Sequence, residues 1–500
     1  MNIPSKPASI DVEIHGNFVD GREIEAGNGE MLDVRNPATG DVIARIPNST
    51  REDIDRAMKS ARLAFEGKAW GGMDTRARAR LVNRLADAFE ANLDTLYRLE
   101  TLNNGRPVNE TRAQLSRLPD FFRYFAGLAL ARRDSVIPVE GAYLNYTLRT
   151  PIGIVANCTP FNHPLMILCK SLAAVLASGC VTVVKPSEYT PLTTLKLAQI
   201  FTEAGLPPGV FNIVLGLGQS AGKMLAEHPD ITKLVLTGGA AAKVFAHQTM
   251  ELGGKTPVMV FDDFDVDRAV NYAAFGAFIG AGQTCVCASR HIVQASIYDE
   301  FVEKLKAKTE TIRIGDPFDP ATQLGPVISA RQRDRVLTYS RFGHEDGARL
   351  VTGGVAAKVP GHDNGYFVAP TVFADVKSDM RIFQEEVFGP FTSVTPFKDE
   401  ADALRLANDS PFGLAAAIRT SDIGRAHRVA SAVKAGIVWI NDHHRLDPAS
   451  PWGGVGDSGI GRECGTESFD DHFNTKSVMV ATHDQPFDWY RDTANQRRLN

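Results

Sequence analysis

Cysteine is scarce in this chain, with six in 500 residues, at positions 158, 169, 180, 285, 287 and 464. Their spacing forms no disulfide framework, and the paired ligands about two to four residues apart that a zinc site uses are missing, so no metal ion is called for. No window approaches the roughly eighteen uninterrupted apolar residues of a membrane helix, so no membrane partner is expected. The N-terminal MNIPSKPASIDVEIHG lacks the basic start and apolar run of a secretory signal, and a cytoplasmic protein is expected. Positive charge is not concentrated either. Lys and Arg total 54 against 59 acidic residues, for a net charge of -5, and the basic residues are scattered. That pattern argues against nucleic acid and anionic membrane surfaces and leaves a small-molecule partner. Internal repeats and low-complexity linkers are also lacking.

What is there is an ordinary globular composition, 44% hydrophobic and 23% charged, in a chain too long for one hydrophobic core. Residues 1–50 alternate polar and apolar positions between turn signals (GNFVDGRE, NPATGD), which predicts short antiparallel strands and hairpins. In ARLVNRLADAFEANLDTLYRLE, Leu81, Leu85, Phe89, Leu93 and Leu96 recur every three or four residues, the mark of helix with one packed face. From about Pro151 to Asp262, short apolar runs (GIVANC, VTVVK, FNIVLG, KLVLTG, PVMVF) alternate with helical stretches, the last of them AAAKVFAHQTMEL. Strands alternating with helices predict a parallel, doubly wound sheet with ligands at the carboxyl ends of its strands. The rhythm resumes after Asp265 through DRAVNYAAFGAFIGA, SRHIVQ, YDEFVEKLKAKTETI, TSVTPF and GIVWIN, a second α/β unit. YLNYTLR (143–149) and the late SVMVAT alternate as edge strands of a separate small sheet.

Three segments carry nucleotide signals. GLGQSA (216–221) follows a strand and satisfies the glycine-rich fingerprint, but no acidic residue ends the next strand, so it reads as a turn. LTGGAAAK (236–243) places two glycines between a strand and a predicted helix, where backbone can approach a pyrophosphate. KPSE (185–188) puts a lysine and a carboxylate at a strand end, within reach of ribose hydroxyls. A fourth segment, GAGQTCVCA (280–288), sets Cys285 and Cys287 one residue apart, too close for an unstrained disulfide and wrongly spaced for zinc. A nucleophile or plain packing remains.

Together these segments resemble the NAD(P)-dependent aldehyde dehydrogenases. The matching motifs are TPFNHP (159–164), KPSE, LTGG (236–239), ELGGK (251–255), GQTC (282–285), EEVFGP (385–390), PFG (411–413) and PWGGVGDSGIGRE (451–463), in the order the family has them and over nearly the whole chain. The resemblance implies two doubly wound Rossmann-like α/β domains plus a small bridging β-sheet for oligomerisation. The cofactor-binding domain is expected over 1–131 and 151–254, the catalytic domain over 255–465, and the bridging strands over 132–150 and 466–485. A homodimer or homotetramer is implied.

By the same resemblance Cys285 is the nucleophile and Cys287 its neighbour, Asn162 an oxyanion donor with the Cys285 backbone N–H, and Glu251 the base that activates water. Relatives that pass the acyl group to coenzyme A characteristically lack that glutamate, so a free carboxylic acid is the implied product. A thiolate suits this chemistry because its hemithioacetal can expel hydride and become a thioester. NAD is the implied cofactor, with Lys185 and Glu188 at the adenosine ribose, Gly238 and Gly239 near the pyrophosphate, Glu386 at the nicotinamide ribose and Phe388 beside the nicotinamide. Glu188 repels a 2′-phosphate, so NAD is favoured and NADP is a second possibility.

The chain departs from the family in places. Gly239 stands for the usual serine and Lys243 for a common glycine, and the motif around Asn162 has Phe161 and His163 where other aromatics are usual. The helix lysine is Lys170, one residue before its common place, which Ser171 holds. That displacement argues against a proton relay from Glu251 through the lysine to Glu463. By position, His163, Arg117, Phe121 and the loop NDHHRLDPAS, with His443, His444 and Arg445, are candidates to line the substrate tunnel. Their polarity points to a polar, semialdehyde or ring-containing aldehyde. The rival readings are an NADP-dependent semialdehyde dehydrogenase, esterase-like hydrolysis and a catalytically retired binding protein; intact Cys285, Glu251 and Asn162 argue against the last.

Overall fold

A computed structural model describes residues 12–25, 27, 30–238, 246–484 and 490; Gly239 and Lys243 lie outside these. The apolar runs Ile154–Cys158 and Val181–Lys185 form strands buried at every residue, as a parallel sheet covered on both faces requires. They pair in parallel with each other, and on either side with Phe211–Ile213 and Lys233–Thr237. His247–Glu251 pairs in parallel beyond Lys233–Thr237. Two antiparallel strands, Asn17–Val19 and Arg22–Ile24, finish one edge, and Gly459–Ile460 finishes the other. The chain runs outward from Ile154–Cys158 in one direction and then returns to build the other side, so a topological switch point falls between Ile154–Cys158 and Lys233–Thr237. A crevice opens at the carboxyl ends of such a pair.

The helix Pro164–Ser178 covers this sheet. It starts on a proline, which suits a helix N-terminus, and stops at Gly179, whose left-handed φ of 92° ends it. The periodic segment after Thr75 is two helices, Thr75–Ala91 and Leu93–Asn104, interrupted at Asn92; Leu81, Leu85, Phe89 and Leu96 are buried as the spacing predicts.

Pro257–Val260 begins a second sheet of seven strands, ordered Arg349–Thr352, Thr371–Ala374, Phe391–Phe397, Arg290–Gln294, Pro257–Val260, Ala415–Arg419 and Ile437–Ile440. All neighbours are parallel except the first pair. A third, antiparallel sheet joins Val136–Ile137, Tyr143–Pro151 and Phe473–Ala481, in register from Phe473 opposite Pro151 to Ala481 opposite Tyr143. Its Leu144, Leu148, Met479 and Val480 are exposed.

One expectation is corrected. The helical stretch predicted from AAAKVFAHQTMEL runs through QTMEL, yet His247–Glu251 is a strand. Its helical periodicity is overridden by pairing on both sides, with Lys233–Thr237 and with Gly459–Ile460, which buries Thr249, Met250 and Glu251.

Candidate active site

Glu251 ends its strand at the carboxyl edge of the first sheet, and the backbone then turns through Gly253 and Gly254 beneath the Cys285 loop. A Cβ on Gly254 would lie 2.3 Å from the Cys285 carbonyl oxygen, so only glycine permits the crossing. That approach brings Cys285 and Glu251 together, Glu251 from the end of a first-sheet strand and Cys285 from the loop before Arg290–Gln294 in the second sheet. Cys285 Sγ donates to Glu251 Oε1 at 3.4 Å. The Trp452 indole N–H donates to the same oxygen, and Lys170 Nζ donates to Oε2 at 2.9 Å. Lys170 also meets Glu463 at 2.5 Å and stacks over the Trp452 ring at 5.1 Å.

Despite its displacement in the motif, Lys170, not its neighbour, faces Glu251 and Glu463. Ser171, in the expected place, is buried with its hydroxyl oxygen unpartnered. On a helix one residue of displacement turns a side chain by about 100°, but the long lysine stem absorbs the difference.

Burial pushes the Cys285 thiol well above its ordinary range and the Glu251 carboxylate adds to the rise, with Lys170 opposing. Burial also acts on Glu251, but Lys170 and the hydrogen bonds it receives hold it below the usual carboxylate range. Glu463, buried and next to a second carboxylate, is pushed up to about 7 despite Lys170. One ammonium thus serves two carboxylates, holding Glu251 down while burial and the Glu251 charge raise Glu463.

Asn162 sits in the turn between Ile154–Cys158 and the helix beginning at Pro164, on the crevice. Its side chain does not cap that helix, whose N-cap is His163. Asn162 Oδ1 and Thr159 Oγ1 are buried without partners. Gly238, with φ 84°, donates its N–H to the Glu251 carbonyl at 2.9 Å, which continues the ladder between Lys233–Thr237 and His247–Glu251 by one residue.

Lys185 and Glu188 pair at 3.3 Å at the end of the neighbouring strand. Cβ atoms on Gly218 and Gly222 would come within 4.0 and 3.4 Å of the Lys185 side chain, so the GLGQSA turn leaves room beside it. Glu386 accepts from the Gly254 N–H at 2.9 Å, and Lys255 Nζ donates to the Glu385 carbonyl at 2.7 Å. Burial, with Arg290 nearby, lowers Lys255 to about 7. Phe388 adopts a left-handed φ of 60°, and its ring meets Phe161 edge-on at 5.8 Å.

The substrate candidates separate. His443 is buried, its Nε2 3.1 Å from the carbonyl oxygen of Val286, the residue after Cys285. His163 is buried against Arg106. Burial holds both imidazoles well below their ordinary range. Arg117 is exposed and Phe121 belongs to the core, so neither joins this cluster.

The aldehyde dehydrogenase family model matches residues 24–478. The chain belongs to the aldehyde dehydrogenase family. Among solved structures, an aldehyde dehydrogenase by assignment from Burkholderia cenocepacia is 42% identical, with a TM-score of 0.93 over 96% of this chain and 99% of that one. PnpE from Pseudomonas sp. WBC-3 is 40% identical at a TM-score of 0.92, covering 96% and 100%. Betaine aldehyde dehydrogenase from Staphylococcus aureus, solved in complex with NAD+, is 37% identical at a TM-score of 0.93, covering 96% and 97%. For an aldehyde dehydrogenase, the residues around the crevice fit a dinucleotide. Lys185 and Glu188 stand at a strand end with glycine-lined space beside them. Glu386 is held by a backbone N–H, and unpartnered buried oxygens face the switch point. Among the described residues no helix is long and apolar enough to cross a membrane.

Sequence reasoning missed Trp452 as a donor to Glu251, Gly254 as the point of closest approach, and Lys255 as the anchor of the 385–386 backbone. The doubled glycine of ELGGK was the available signal for the second.

Proposed function

We propose that this enzyme oxidises an aldehyde to the carboxylic acid with NAD, through a covalent thiohemiacetal and thioester on Cys285. The observation that carries the reading is the partly buried contact of 3.4 Å between the Cys285 thiol and the Glu251 carboxylate. Glu251 takes the thiol proton and passes it on through Lys170 and Glu463, which frees its carboxylate again, and the thiolate adds to the aldehyde carbonyl. Asn162 and the Cys285 N–H stabilise the resulting oxyanion, each donor being worth about 3 to 4 kcal/mol of barrier. Bound NAD supplies the hydride acceptor. Lys185, Glu188, Gly238, Gly239 and Glu386 hold the dinucleotide, and Phe388 orients its reactive ring. Glu251 then takes a proton from water attacking the thioester, and Lys170 and Glu463 carry that proton away, releasing the acid.

The sheet over 255–465 serves catalysis and the sheet built from 1–131 and 151–254 binds the cofactor, closed at its edge by Gly459–Ile460. The exposed apolar positions of the third sheet suit pairing with a second copy, in a homodimer or homotetramer. Six free cysteines suit a cytoplasmic enzyme. Buried His163 and His443, and the betaine aldehyde dehydrogenase among the neighbours, favour a polar aldehyde, a semialdehyde or a ring-containing one. Cys285→Ala should abolish aldehyde-dependent NADH formation while leaving NAD binding within about twofold; retained turnover overturns the assignment. A panel of aliphatic, aromatic, cationic and acid-terminated aldehydes, ranked by kcat/KM, tests the substrate class.

A further inference from the structure

A buried polar cluster that takes no part in the chemistry joins the turn carrying Asn162 to the loop carrying Cys285. Arg106, 3% exposed, is its centre. Its Nε donates to Asn104 Oδ1 at 3.1 Å. Its Nη1 reaches Gln114 Oε1 at 2.8 Å, His163 Nδ1 at 2.7 Å and Glu110 Oε1 at 3.4 Å, and Nη2 pairs with Glu100. A guanidinium only donates, so His163 Nδ1 is the acceptor.

From this centre two arms extend. On one side, Asn104 Nδ2 donates to the carbonyls of Phe161 at 2.6 Å and Asn162 at 3.3 Å, and Glu100 accepts from the Leu165 N–H at 3.3 Å. On the other, Glu110 Oε2 accepts from the Gly280 N–H at 3.1 Å. Gly280 opens three successive left-handed residues, with φ of 62°, 53° and 67° at Gly280, Ala281 and Gly282. Ala281 holds that conformation at a cost of about 1 to 2 kcal/mol, so surrounding contacts must impose it. The run ends three residues before Cys285.

We propose that Glu110 and Arg106 are positioning residues that set the spacing between the Asn162 amide and Cys285, by tying both backbones to one buried cation. The inference rests on the oxyanion role of Asn162 given above. A misplacement on the ångström scale at a reacting centre lowers rate by about 100-fold.

The test is a double-mutant cycle in the full-length enzyme. Glu110→Ala should lower kcat/KM about 10- to 100-fold, mostly in kcat. In the Asn162→Ala background the same change should cost less than about threefold, because the donor being positioned is gone. NAD binding, followed by protein fluorescence, and Cys285 alkylation by iodoacetamide, which develops no oxyanion, should stay within about twofold. Glu110→Asp keeps the charge beside Arg106 but withdraws the oxygen from Gly280; it carries the same cycle where Glu110→Ala does not fold. Equal losses in both backgrounds overturn the positioning role and leave the oxyanion role standing. If Asn162→Ala alone costs nothing, the oxyanion reading falls and this inference with it.

Discussion

Lys170 and Glu463 form a 2.5 Å ion pair in which neither side chain is more than 3% exposed, and Glu251 shares the same ammonium at 2.9 Å. Glu463 is pushed up to about 7 by burial, with the Glu251 charge adding to the rise against Lys170. Its ionisation puts a second negative charge beside Glu251, the base of the proposed mechanism, and divides Lys170 between two carboxylates, which makes Glu251 more basic.

The activity of the wild type should therefore rise as pH passes through about 7. Glu463→Gln should remove that limb from the kcat profile. Stability moves the opposite way. A carboxyl with a raised folded-state pKa contributes stability that is complete below the ordinary carboxylate range and lost as pH rises through about 7. Between those limits the wild type should lose stability relative to Glu463→Gln in chemical denaturation, and parallel curves would show that Glu463 is not the group titrating.

Lys170→Met should be far more damaging than its conservative volume suggests. It leaves two carboxylates buried without a cation, a change of about 3 to 5 kcal/mol at neutral pH. The penalty should shrink as pH falls, because both carboxyls then take protons. Urea midpoints at acid and neutral pH check this, and a pH-independent difference would point to lost packing instead.

The strand and helix rhythm made the two α/β units legible because parallel strands such as Val181–Lys185, buried on both faces, are continuous apolar runs. His247–Glu251 was hidden because its order comes from partners on both sides, one of them more than 200 residues away in sequence at Gly459. Lys170 was misjudged because motif spacing measures position along a helix and ignores the reach of the side chain. Cys285 and Glu251 were visible as motifs, but their 3.4 Å contact depends on Gly254 passing under Cys285, a relation between two chain segments that neither contains. The Arg106 cluster left no motif, since its partners come from two helices and a distant turn.

Gly254→Ala tests that crossing. The new methyl would meet the Cys285 carbonyl oxygen at 2.3 Å, and backbone cannot swing aside as a side chain does. The nucleophile loop should shift from Glu251, lowering kcat about 100-fold and stability by about 1 to 3 kcal/mol. Alkylation of Cys285 at fixed pH, compared with NADH formation, separates a displaced thiol from a misfolded protein. Activity near the wild-type level would mean that the two segments do not need this close approach.

Glu188 offers the last test, on cofactor choice. Its carboxylate is partly exposed and pairs with Lys185 at 3.3 Å, so its repulsion of a 2′-phosphate is one charge, screened by solvent and half compensated by its neighbour. Removing it leaves Lys185 without that carboxylate partner, and its charge then favours a 2′-phosphate bound nearby. Glu188→Gln should then improve kcat/KM with NADP about tenfold, the equivalent of roughly 1.4 kcal/mol, and weaken NAD by a smaller factor through the lost ribose contact. Raising ionic strength should narrow the NADP difference between wild type and variant, because the term removed is Coulombic. If the preference is unchanged at low salt, discrimination lies elsewhere in the crevice and Glu188 serves only to hold Lys185.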